Sequence, residues 1–232
     1  MTPETTQHLN TVEGIMKKGK AILARHPYPD DLRSVVVMGT LTQIIEHHEA
    51  MLLLMRNDII GSAFALVRSI VEGVYRGLWI NFCATDAQMQ DFGRHDRLLV
   101  KMTEMAQAID AKYHAEGFFE DFRARSWAAL CSYTHTGMLQ LGRRFTGATA
   151  KPAYTDEEVV EVTTTATTCI LLLAGKFLAV QKYDRDCREV EALIGTYGPA
   201  AANKKSKRAR NTIRAGGGDS WEESTHPKAK SY

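Results

Sequence analysis

The chain has 232 residues, of which 44% are hydrophobic and 24% charged, with four cysteines and a formal net charge of +2. This is ordinary globular usage over a length that can bury a core. It excludes a disulfide scaffold, a fibre and a wholly disordered polymer.

The first residues lack an apolar run flanked by a basic end, so no secretory signal is expected. Thr2-Pro3-Glu4 is a helix start, with proline at a tolerated first position, and the spacing predicts a helix to about residue 25. His26-Pro27-Tyr28-Pro29 breaks it, since proline disfavours helix in the residue before it. Asp30-Asp31 restarts a helix with Val37, Leu41, Ile44, Ile45, Leu52 and Met55 on one face. After a turn at Arg56-Asn57-Asp58 a third helix is predicted over about 59–84. One or two shorter helices follow over 86–105, interrupted near Gly93, and then one long helix over 118–145. Thr155-Asp156-Glu157-Glu158 is a capping box that opens a last long helix reaching about residue 193. Hydrophobic periodicity is helical nearly throughout. The expected fold is all-α: an antiparallel bundle of four to five long helices with short helical insertions.

The segment 159–180 is the strongest membrane candidate. It carries Glu161, Lys176 and a threonine-rich stretch, and its uninterrupted apolar part is shorter than the roughly 20 residues of a span, so no membrane segment is expected. Cys83, Cys131, Cys169 and Cys187 show no paired spacing, and three lie in apolar helical patterns. They read as reduced thiols of a cytoplasmic protein.

The average charge hides an asymmetry. From Pro199 to Tyr232 there are eight Lys/Arg and three acids, a charge of +5, which leaves −3 on the first 198 residues. The tail also holds Gly216-Gly217-Gly218 and few apolar residues, so it cannot offset its ordering entropy by burial. The expected division is a helical bundle domain over 1–198 and a disordered basic tail over 199–232. Lys204, Lys205, Lys207, Arg208, Arg210 and Arg214 can contact nucleic-acid phosphates without reading sequence.

On a helical wheel the third helix leaves little circumference for water. Ile60, Ala63, Val67, Ile70, Val71, Val74 and Leu78 form one stripe, Phe64, Arg68, Glu72, Tyr75 and Trp79 the adjacent flank. Gly73 and Gly77 admit a close neighbour. Arg68 and Glu72, four apart, are expected to pair, because a buried charge needs a partner. His48 lies in the apolar stripe of the second helix. His135 shares a face with Trp127, Cys131, Met138 and Leu139. Two readings follow: one internal polar site made of Arg68, Glu72, His135 and His48, or separate core polar groups that fix helix register. Glu46-His47-His48-Glu49 is not a metal site, since neighbours on a helix point to different sides, and no second Glu-x-x-His motif accompanies it. No phosphate-binding glycine loop is present. Neither a metal nor a cofactor is expected.

Ala65-Leu66-Val67-Arg68-Ser69-Ile70-Val71-Glu72 and Ser132-Tyr133-Thr134-His135-Thr136-Gly137 resemble a poorly characterised bacterial helical-bundle family. Its members carry Arg-x-x-x-Glu on a central apolar helix and Ser/Tyr-x-x-His-x-Gly on a later one. That family is distantly similar to HEPN and abortive-infection-type domains, several of which cut RNA or partner toxins. The likeness covers roughly 35–145 and implies a role in stress or phage defence. It departs from the HEPN nuclease signature, an arginine followed by four to six residues and a histidine: no histidine here has an arginine at that distance upstream. The leading expectation is a non-catalytic bundle acting through protein partners or self-association. The alternatives are a HEPN-like RNase or other hydrolase, with Arg68 stabilising anionic charge and His135 moving a proton, and auxiliary nucleic-acid binding by the tail.

Overall fold

The computed structural model describes residues 1–27, 30–146 and 149–197. The expected basic tail, 199–232 with its six candidate phosphate contacts, lies outside them. Nine helices are present among the described residues: α1 Pro3–Leu23, α2 Leu32–Arg56, α3 Ile60–Phe82, α4 Asp86–His95, α5 Met102–Tyr113, α6 Phe118–Thr134, α7 Met138–Gly142, α8 Asp156–Val180 and α9 Asp184–Tyr197. The fold is an all-α bundle. No strand occurs among the described residues beyond a single bridge between Thr146 and Thr149.

Caps set the helix starts. The Thr2 hydroxyl accepts from the Thr5 amide at 3.2 Å, and Asp31 from the Ser34 amide at 2.9 Å. Asp156 accepts from the Thr2 amide at 2.7 Å and the Thr5 hydroxyl at 2.8 Å. These bonds tie the start of α1 to that of α8. At α8 the Thr155 hydroxyl and the Glu158 carboxylate exchange backbone bonds, at 3.2 and 2.9 Å, in the expected capping box. Thr155→Ala should lower stability by about 1 kcal/mol, measured as a drop in the thermal midpoint. The glycine before α6 has no capping side chain. Asp110 of α5 replaces it, accepting from the amides of Phe119 and Glu120 at 2.9 Å each.

α3 is central. Only Ser62, Ser69 and Arg76 are exposed, one every seven residues. It packs on α2, α8, α5 and α6, and α8 in turn packs on α1, α2 and α9. α8 is long and apolar enough to cross a membrane, but 61% of its apolar window is buried inside the bundle. That is the pattern of a core helix.

Two predicted helices break. The helix expected over 118–145 ends at Thr134, because Thr136 takes a left-handed conformation, φ 56°, and the chain restarts as the short α7. The helix expected to run from 156 to about 193 ends at Val180. Lys182 is left-handed at φ 61° and the chain turns back as α9. The reversal seats Val190, fully buried, beside Gly175. Hydrophobic periodicity continues on both sides of each break, which is why it did not reveal them.

Candidate functional site

The Ser132…Gly137 motif is a helix stop. The Gly137 amide donates to the Ser132 carbonyl at 2.7 Å, and the Ser132 hydroxyl accepts from the Leu139 amide at 3.1 Å. A Cβ on Gly137 would lie 2.8 Å from the Ser132 Cα, so a side chain there collides with backbone. This turn leaves His135 exposed at the end of α6. The expectation of a histidine on a buried apolar face fails here. Met138 is 80% and Leu139 53% exposed.

Arg68 projects from α3 to meet it. An Nη of Arg68 bonds His135 Nε2. Guanidinium only donates, so His135 Nε2 is the acceptor in this contact. The guanidinium sits 5.1 Å from the centroid of the Trp127 ring, a cation–π contact. Its Nε lies 3.7 Å from Glu72 Oε2, and Arg76 bonds the other carboxylate oxygen at 2.7 Å. Arg68 and Glu72 are thus paired across one helical turn, at 20% and 26% side-chain exposure. The cluster is a half-buried surface ladder of alternating charge, anchored by Arg68 against the Trp127 indole.

His48 does not join it. The ring is fully buried in α2, and Nε2 lies 2.8 Å from the Thr167 hydroxyl of α8. Burial pushes this imidazole down from 6.5 to about 4, so it stays neutral. The single four-residue site is therefore corrected to an Arg68–Glu72–His135 cluster on the surface and a separate histidine in the core. The sequence signal for the partner was the Thr163 and Thr167 pair, four apart on one face of α8.

Sequence reasoning also missed the apolar surface beside the cluster. Leu141 is 40% and Phe145 55% exposed, next to Met138 and Leu139. Of the 17 residues of α6 only Phe119 is buried, and Phe122, Trp127, Leu130 and Tyr133 remain half-covered. A cleft of about 320 Å³ opens between α3, α6 and α8, lined by Phe64, Val67, Phe122, Leu130 and Tyr133 with Glu161 at its edge.

The four cysteines are free thiols, all half-buried. Burial raises Cys83, Cys169 and Cys187, Cys169 to about 12, which opposes thiolate formation. Among the described residues no three His, Cys, Asp or Glu side chains converge as metal ligands.

The model of a family of unknown function, DUF6988, matches residues 42–199. No curated protein and no solved structure matches the chain.

Proposed function

Because the chain belongs to the DUF6988 family of unknown function, we propose a role from the geometry alone: a non-catalytic bundle that self-associates through its α6–α7 face. The observation that supports this reading is the exposure of Met138, Leu139, Leu141 and Phe145 in the one short stretch that follows His135, the residue that Arg68 meets over Trp127. Large apolar side chains grouped at a surface mark interaction sites. Tryptophan and arginine are the residue types that dominate binding energy at such sites.

A second copy is the occupant because the face carries both signs in close alternation. Arg68, Glu72 and Arg76 alternate in sign along α3 beside Trp127. A patch of that kind is complementary to itself under a two-fold axis. In sedimentation equilibrium the mass should rise from monomer to dimer with concentration. Leu139→Asp should weaken the dimer more than about tenfold with an unchanged helical spectrum. A wild-type chain that stays monomeric at every concentration defeats the reading.

A phosphodiester hydrolase stands second, on the direct Arg68–His135 contact at an exposed position. Against it, the Glu72 carboxylate lies beside Arg68, 3.7 Å from its Nε, where its negative charge would oppose an approaching phosphate. Cleavage of single-stranded RNA by the wild type, abolished in His135→Ala at unchanged melting temperature, would favour this reading over the first.

A further inference from the structure

α1 and α2 are joined at their rim by ion pairs, Lys20 to Glu49 at 2.5 Å and Arg56 to Glu13 at 2.6 Å. These pairs line two adjoining open cavities of about 550 and 450 Å³ that share Glu49. Leu23, Met38 and Ile45 contribute apolar wall to the first, Met16 and Leu52 to the second, where His48 is also part of the lining.

The hydrogen bonds of His48 fix which of its nitrogens is free. The Thr167 hydroxyl donates its one proton to the Thr163 carbonyl at 2.7 Å. It must therefore accept from His48, whose Nε2 carries the hydrogen. Nδ1 is then a bare acceptor, and it is buried without a hydrogen-bond partner. Buried polar atoms in folded proteins are nearly always satisfied. The group that completes Nδ1 must be a donor.

Charge narrows the class further. Glu13 is held by Lys17 and Arg56, and Glu49 by Lys20, so both carboxylates of the cavity that His48 lines are already paired. We propose that the α1–α2 groove binds a small, neutral, largely apolar molecule carrying an N–H or O–H donor, with Nδ1 of His48 accepting that donor. This site is separate from the α6–α7 face and does not depend on it.

The test uses indole and its isostere indene, which lacks the N–H, on the uniformly ¹⁵N-labelled full chain. Indole should displace the His48 Nδ1 resonance and the amides of Met16 and Leu52, and indene only the amides. The preference for indole over indene should fall about fivefold in His48→Phe, the worth of one hydrogen bond. If indole saturates the groove while Nδ1 stays still, a water satisfies the nitrogen and the proposal is overturned. It is overturned as well if neither compound binds, or if the same amides shift on self-association without ligand. The nitrogen resonance is read on the unaltered protein, so the outcome stands even if the variant does not fold.

Discussion

Gly77→Leu should cost the fold about 2–3 kcal/mol, read as a loss of roughly 5–10 °C in thermal midpoint, while Gly14→Ala should add about 0.5–1 kcal/mol. Both glycines sit inside helices, but their surroundings differ. A Cβ at Gly77 would stand 2.5 Å from one methyl of Leu173 and 3.0 Å from the other, whereas nothing lies within 4 Å at Gly14. Leu173 is itself fully buried in α8, so it cannot move aside without displacing the core. Gly73, one turn earlier, serves a different neighbour, since a Cβ there would lie 2.4 Å from Ile44 of α2. The two glycines thus let α3 approach two helices at once. Chemical denaturation of the three proteins decides the matter, and a neutral Gly77→Leu would show that α3 and α8 are not packed this closely.

Acidification from pH 6.5 to about 4 should remove about 3 kcal/mol through His48 alone. Burial is the dominant cause of the depressed value, offset in part by the nearby Glu49 carboxylate. In this window the unfolded chain takes up a proton at residue 48 and the folded chain does not. The unfolded state therefore binds more protons and stability falls as pH falls. Above 6.5 both forms are neutral and the contribution is fully present; below about 4 both are protonated and the loss is complete. Asp156, held near 2 chiefly by its hydrogen bonds from Thr2 and then Thr5, loses its contribution lower down, between 3.8 and about 2, so the two effects separate on the pH axis. Unfolding free energies measured at intervals across the range should show the slope between 6.5 and 4 flatten in His48→Phe. An unchanged slope in that variant would place the titrating group elsewhere.

How much of this was legible in the sequence depends on whether the signal was local. The starts of α1, α2 and α8 were readable because a cap and its partner lie three residues apart. The central position of α3 was readable because a helix apolar around most of its circumference has nowhere to go but inside. The breaks at 135–137 and 181–183 were not, because the left-handed residue at each, Thr136 or Lys182, is not a glycine. His48 was flagged as a buried polar group, but its partner is 119 residues away. Only the packing of α2 on α8 selects Thr167 over the arginine and glutamate that the wheel offered. Arg68 and Glu72 were paired correctly from their spacing. His135 was assigned to a buried face because the helix around it was assumed to continue.

That helix end is what makes the α6–α7 face: without the stop at Gly137, Met138 and Leu139 would continue the helix instead of standing on an exposed turn. The most direct measurement is amide hydrogen exchange over residues 138–145, taken at low and at high protein concentration. Self-association through this face should slow exchange there as concentration rises, while the α1–α2 groove exchanges at a constant rate. Equal exchange at both concentrations, or protection that rises elsewhere and not over 138–145, would contradict it.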